Sequence, residues 1–410
     1  MRLLQPFRRR DFAVLWLGQA TSLVGDGIFV VAITFQILEL RNSPGALSVV
    51  MLAGSVGLVA CLLAGGVVSD RVERRRVLIA SDLVRLAAVA GIGALSVAGA
   101  LEVWHAVALM LVYGAGEAFF QPAFGALLPA VVPAEELVQA NAVHGVVRPL
   151  ALRFAGPALG GVLVAAAGAG PALLADAATF GVSAACVFGL RARSWAGVEP
   201  EGARRELAAG WRYVRSQPWL WATLASAGLA VLFVLGPFQV LLPYLIRNDL
   251  GGDAGTYGAV LAVSGLGAVT AAALVGQVGL GRRPVSLMYA VWSVSPLALC
   301  GFAAATATWQ LLPLAAAEGA CLAAGNVVWS TLMQTRVPPA LLGRVTSVDF
   351  LASLGLTPVS YALTAPAAAA LGASTTLVAA GLLAAAAGLA FWPLAVRQAP
   401  SAARSAANPG

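Results

Sequence analysis

Runs of about 20 apolar residues recur down the whole chain, separated by short stretches that carry arginine, proline or small polar residues. A helix rises about 1.5 Å per residue, so each run can cross a hydrocarbon layer about 30 Å thick. The pattern predicts spans at about 12–38, 45–68, 77–99, 102–129, 145–168, 171–190, 219–246, 255–279, 284–304, 308–334, 347–369 and 373–396. No run alternates apolar and polar residues as a membrane strand does. Backbone facing lipid must also satisfy its own hydrogen bonds. The expected fold is therefore all-α and integral to the membrane, with twelve transmembrane helices. The first run is too long for the apolar core of a cleaved signal peptide and lacks a small-residue cleavage site after it, so it is expected to remain as the first span.

The charges orient this array. With the amino terminus in the cytoplasm, the arginines between spans fall on the cytoplasmic side, apart from Arg41 and Arg247. Arg85, Arg148 and Arg153 lie within spans or at their ends. The positive-inside rule then puts both termini in the cytoplasm of a bacterial inner-membrane protein. The long connection near the middle divides the chain into an amino-terminal six-helix bundle (1–190), a cytoplasmic linker (191–218), a carboxy-terminal six-helix bundle (219–397) and a disordered cytoplasmic tail (398–410). Within the linker, Leu207, Trp211 and Val214 share one helical face beside Arg204, Arg205, Arg212 and Arg215, a pattern that predicts a helix lying on the membrane surface.

Composition supports the lipid setting. Of 410 residues, 60% are hydrophobic and only 10% charged, and 45 are glycines, which let helices approach closely in lipid. All 25 basic residues are arginine. Without lysine there is no Walker A phosphate loop and no Schiff-base nucleophile. His105 and His144 are far apart and are each expected at a helix end. Cys61, Cys186, Cys300 and Cys321 sit in apolar runs without metal-ligand spacing. No metal site, cofactor or nucleic-acid partner is expected. The chain lacks HExxH, GxSxG and GxGD, so an intramembrane enzyme is disfavoured.

The halves share a weak internal repeat. Val132–Val143 aligns with Val337–Val348, about 205 residues on, and each segment joins the fourth span of its half to the fifth. A parallel repeat of two six-helix units places a solute site between them, near the midplane.

Between the second and third spans, Gly66-Val67-Val68-Ser69-Asp70-Arg71-Val72-Glu73-Arg74-Arg75-Arg76 resembles the GxLxDRxGRR loop signature of the major facilitator superfamily, with Glu73 in place of the second glycine. The matching loop of the second half, Gly276 to Arg283, is short and lacks the aspartate. Gly156-Pro157-Ala158-Leu159-Gly160-Gly161 resembles the GPxxGG motif of drug:proton antiporters, with Leu152 where that motif has an earlier glycine. Phe7–Phe12, Ser22–Gly27 and Gly343-Arg344-Val345 are similar to the bacterial drug and siderophore exporter branch that holds the enterobactin exporter and macrolide efflux proteins.

The resemblance implies two pseudo-symmetric six-helix bundles, the major facilitator fold, working by alternating access. It implies that Gly66, Asp70, Arg71, Arg74 and Arg75 form a conformational latch against the start of the eleventh helix, near Ser347 to Phe350. It also implies that Gly156, Pro157, Gly160 and Gly161 form an antiporter motif, and that the first, fourth, seventh and tenth helices line the cavity.

Carboxylates in mid-membrane are costly, about 2.5–3.5 kcal/mol on insertion scales, and are read as functional. Asp26 is the leading proton-coupling acid, Glu117 the second and Glu318 a third, with Arg153 as counter-ion. Asp82 and Arg85, one turn apart, read as a structural pair, and Asp176 as structural. Phe120, Gln121, Phe233, Gln239, Asn326 and Trp329 are candidates for contact with an apolar solute. The leading function is proton-coupled export of a small, partly hydrophobic molecule, such as a drug, siderophore or secondary metabolite, by a monomer in the bilayer. A nutrient importer and a lipid flippase on the same fold are the alternatives.

Overall fold

The computed structural model describes residues 2–191 and 203–398. Twelve of its helices are long and apolar enough to cross a membrane. In the first half these are α1 (Arg10–Leu40), α2 (Pro44–Arg71), α3 (Arg74–Val97), α4 (Val103–Val131), α5 (Leu137–Pro149 continuing through Gly156–Ala167) and α6 (Ala169–Phe188). A separate helix, α7 (Ala203–Ser216), precedes the second half. There follow α8 (Pro218–Gly236 continuing through Leu242–Asn248), α9 (Ala254–Val278), α10 (Pro284–Val294 continuing through Ala298–Ala304), α11 (Leu311–Arg336), α12 (Pro339–Gly355, then Thr357–Leu371) and α13 (Ala373–Gln398). No strand occurs among the described residues.

Local sequence explains the breaks. A proline inside a helix removes a donor and crowds the preceding turn. In α5 the Gly156-Pro157 pair follows a π-helical turn over Leu150–Ala155. In α8 the Gly236-Pro237 pair opens another, Pro237–Leu241. There the Gly236 N–H donates to Ser360 Oγ at 2.8 Å, so a neighbouring helix stabilises the irregular turn. At its start, α9 is capped by Asp253, which accepts from the Thr256 N–H at 2.9 Å and from its hydroxyl at 3.0 Å.

The expected spans agree with the helices, with three main extensions, one being α12, which begins at Pro339 rather than near 347. Helix α2 runs on to Arg71, and α5 begins at Leu137 rather than near 145. Polar Gln139, Asn141 and His144 interrupt the hydropathy signal at the start of α5. The expectation that His144 sits at a helix end is corrected. It lies within α5 and packs against the Trp16 and Phe124 rings at 5.6 and 5.9 Å. His105 does fall in the first turn of α4, where its Nδ1 accepts from the Glu102 N–H at 3.1 Å.

The halves meet along α5 against α9 and α2 against the outer segment of α12. Small residues set these distances. A Cβ on Gly258 of α9 would lie 2.5 Å from the Pro157 carbonyl oxygen and 2.9 Å from the Gly161 Cα. Beyond them, Asn42 after α1 and Asn248 at the end of α8 exchange side-chain hydrogen bonds. These contacts lie on the side of the bundle away from the termini. Toward the termini, the inner segment of α12, Pro339–Gly355, packs mainly against α7 and α8 among the described residues. Helix α7 is seated there with Val214 buried and Gly210 against the Arg344 carbonyl. The side chains of Arg204, Arg205 and Leu207, and the tail from residue 399, lie outside the described residues.

Candidate functional site

Two of the cavities between the helices hold the candidate residues, one lined mainly by each half. The first, about 240 Å³, is lined by Asp26 of α1, Arg85 of α3, Tyr113, Glu117 and Gln121 of α4 and Arg148 of α5. Its organising group is Arg85, only 1% exposed. One guanidinium nitrogen donates to Asp82 Oδ1 at 2.5 Å and another to Glu117 Oε2 at 2.9 Å. The plane is also flanked by the Phe120 and Phe180 rings, with centroids 4.2 and 4.5 Å away. Aromatic faces carry negative potential, so they stabilise a cation with little water around it. The remaining oxygen of Glu117 accepts from Gln121 Nε2 at 3.1 Å. Asp26 accepts from the Tyr113 hydroxyl at 3.3 Å and has no ion-pair partner among the described residues. Tyr113 is itself held by stacking on Phe29, with centroids 4.8 Å apart.

Asp176 of α6 is fully buried behind Gly25. Its Oδ1 accepts from the Thr179 hydroxyl at 3.4 Å, and its Oδ2 has no hydrogen-bond partner. Any side chain at position 25 would strike both Thr179 and Asp176. The neighbouring Gly27 meets Gly156 of the GPxxGG-like motif, a Cβ on Gly27 lying 2.7 Å from the Gly156 Cα. The motif residues are thus close-approach positions: Gly156 and Gly160 against α1, Gly161 against α9.

The second cavity, about 400 Å³, is lined by Arg153, Trp292, Glu318, Asn326, Trp329 and Asp349, among others. Glu318 Oε2 accepts from the Ser264 hydroxyl at 2.8 Å, and Asp349 Oδ2 accepts from the Trp329 indole N–H at 3.2 Å. The Trp329 ring lies 6.3 Å from both the Trp292 and Trp219 rings, centroid to centroid.

The candidate residues therefore divide. Asp26, Glu117, Phe120, Gln121 and Gln239 line the first cavity, and Gln239 accepts from the Tyr361 hydroxyl at 2.6 Å. Glu318, Asn326 and Trp329 line the second. Phe233 lines neither. Arg153 faces Glu318 in the second cavity, and the cations beside Asp26 and Glu117 are Arg85 and Arg148. Sequence reasoning did not single out Tyr113, Arg148, Trp292 or Asp349. Asp349 carried the clearest signal, as an acid inside an apolar span.

Around the short connection between α2 and α3, Arg71 is exposed and Arg76 pairs with Glu73 at 3.0 Å. Arg75 donates to the Phe188 carbonyl at the end of α6 and lies over the Phe188 ring. Gly66 has open space where a Cβ would stand. The Asp70 side chain lies outside the described residues. Ser347 and Phe350, its expected partners, are exposed on α12.

Twelve spanning helices in two like halves, with cavities between helices and charged groups buried in them, define a membrane transporter of the major facilitator type rather than an enzyme. The chain belongs to the transmembrane secretion effector family of that superfamily, whose model matches residues 2–409. It is similar to the enterobactin exporter EntS of Citrobacter koseri, 30% identical over 82% of this chain and 79% of that protein. Macrolide efflux protein A of Streptococcus pyogenes is 26% identical over 82% of this chain and 84% of that one. Among solved structures, a bacterial homologue of the iron transporter ferroportin in its inward-facing state superposes with a TM-score of 0.72 at 17% identity. That match covers 95% of this chain and 98% of the other.

Proposed function

We propose that the protein is a proton-coupled antiporter that exports a small, partly hydrophobic molecule from the bacterial cytoplasm by alternating access. The observation that carries this reading is the first cavity, where Asp26 stands at mid-span with a tyrosine hydroxyl and, among the described residues, no ion pair. A carboxylate so placed is costly when ionised and is relieved by a proton. Glu117, held by Arg85 and Gln121, is the second acid of the same cavity. Efflux proteins among the relatives favour export over uptake.

With the arginine-rich side in the cytoplasm, the loop between α2 and α3 and the exposed Ser347 and Phe350 of α12 form the cytoplasmic latch of this cycle. Solute enters from the inside while Asp26 releases its proton. Reclosure of the latch and parting of α5 from α9 turn the cavity outward, where a proton displaces the solute. Obligatory exchange requires only that solute and proton favour different conformations of the protein.

The test is proton release and concentrative transport in proteoliposomes with an imposed pH gradient, using a macrolide, a catecholate siderophore and ethidium as solutes. Asp26→Asn is expected to keep facilitated diffusion and lose uphill export, and Glu117→Gln to lose it less completely. Concentrative transport by Asp26→Asn at the wild-type level would overturn the assignment.

A further inference from the structure

The two cavities differ in how their acids are paired. The lining of the first holds Asp26 and Glu117 with Arg85 and Arg148, and Asp82 behind the wall also pairs with Arg85. The second holds Glu318 and Asp349 against Arg153 alone. Arg153 bears on Glu318, which also accepts from Ser264. Asp349 has no ion-pair partner among the described residues, and the Trp329 indole is its hydrogen-bond donor.

The walls add a second feature. Trp292 and Trp329 face each other with ring centroids 6.3 Å apart and planes inclined at 52°, and both line the cavity with Asp349. The Trp292 ring is fixed by Gly325, where any Cβ would run into the indole. Two indole faces beside an unpaired carboxylate complement a cation with an apolar body, because the ring quadrupole and the carboxylate attract it together. Glu318 and Trp329 are eleven positions apart on α11, so the cavity runs about 16 Å along that helix. Its volume of about 400 Å³ lies within the range of drug-sized sites.

We infer that this second-half cavity is the solute-recognition site and that its ligand class is an amphipathic organic cation. The cationic group sits between Asp349 and the Trp292 and Trp329 faces, with the apolar body extending toward Glu318. This rests on the exporter reading and gives it a division of labour: the cavity of Asp26 and Glu117 exchanges protons and the cavity of Asp349 selects the solute.

The test uses two ions of nearly equal shape and opposite charge, tetraphenylphosphonium and tetraphenylborate, with full-length protein in nanodiscs and empty nanodiscs as the partition blank. Wild type is expected to bind the cation at least about tenfold tighter than the anion, with quenching of tryptophan fluorescence. Asp349→Asn should weaken cation binding about tenfold, equivalent to about 1.4 kcal/mol. Asp349→Glu should recover most of it, which a purely structural role would not predict. Trp292→Phe should lower the quench and leave the cation preference in place. Equal or tighter binding of tetraphenylborate, or unchanged cation affinity in Asp349→Asn, would overturn the inference. The two readings fail separately. Proton release on adding a neutral or anionic solute, without tetraphenylphosphonium binding, would keep the antiporter and remove this site. Asp349-dependent cation binding without any proton release would keep the site and remove the antiporter.

Discussion

Asn42 and Asn248 hold each other across the two halves. The Asn42 amide nitrogen donates to Asn248 Oδ1 at 2.6 Å, and the Asn248 nitrogen donates back to Asn42 Oδ1 at 3.1 Å. One follows the first helix of its half and the other ends the first helix of the second, so the pseudo-twofold relation places like positions opposite one another. Each bond is worth roughly 0.5–1.5 kcal/mol net. Removing the pair with Asn42→Ala should therefore shift the conformational balance toward the outward-open state by several-fold. A disulfide between Asn42→Cys and Asn248→Cys, in a background without the four native cysteines, should stop transport, and reductant should restore it. Full transport by the quantitatively cross-linked protein would show that this contact never has to open.

The same closure depends on glycine where α5 crosses α9. With the Pro157 carbonyl 2.5 Å and the Gly161 Cα 2.9 Å from a Cβ at position 258, Gly258→Val cannot be accommodated without separating the helices. The variant should insert and expose its outer side. Labelling of Asn42→Cys by an impermeant maleimide from outside should rise in its presence. Labelling no faster than in the Gly258 parent would show that the crossing yields in some other way.

Much of this architecture was legible in the sequence, for physical reasons. A helix exposed to lipid needs an unbroken apolar run, so the spans declared themselves, and the Gly156-Pro157 pair marked a bend because its missing donor must be accommodated. The pairing of charges across helices was less legible. Asp82 was visible as a partner of Arg85 because it lies one turn away on the same face, whereas Glu117 lies on another helix. Arg153 shows the limit most clearly. It sits inside the π-helical turn of α5, where one extra residue per turn rotates everything beyond it by about 100°. A regular 3.6-residue period does not describe which way it faces, and in the structure it lines the cavity of Glu318.

At the outer start of α9, the N–H and hydroxyl of Thr256 hold the Asp253 carboxyl below its ordinary value. A depressed carboxylate contributes its stability above the unfolded value of about 3.9 and loses it as the pH falls through the lower folded value. Asp253→Ala should cost about 1 kcal/mol at neutral pH, the usual worth of an N-cap. Melting of the purified variant should fall below wild type at pH 7, and the gap should narrow only in strong acid. A constant gap down to pH 2 would assign the loss to something other than the charged cap.

The most consequential single side chain is Arg85. It is 1% exposed and joins Asp82, itself fully buried, to Glu117 on the cavity wall. Removing one partner from a buried ion network leaves uncompensated charge, at a cost of about 3–5 kcal/mol, whereas replacing the whole network with neutral groups is often close to neutral. Arg85→Ala should therefore fold poorly or melt far below wild type. Arg85→Met combined with Asp82→Asn and Glu117→Gln should melt near wild type. If the network served stability alone, that triple variant would also transport. Because Glu117 shares its cavity with Asp26, and Arg85 sets the charge both acids experience, the triple variant is expected to remain folded, bind solute and fail to drive export from a pH gradient. Gradient-driven export at the wild-type rate would show that Arg85 is a structural clamp and that coupling resides in Asp26 alone.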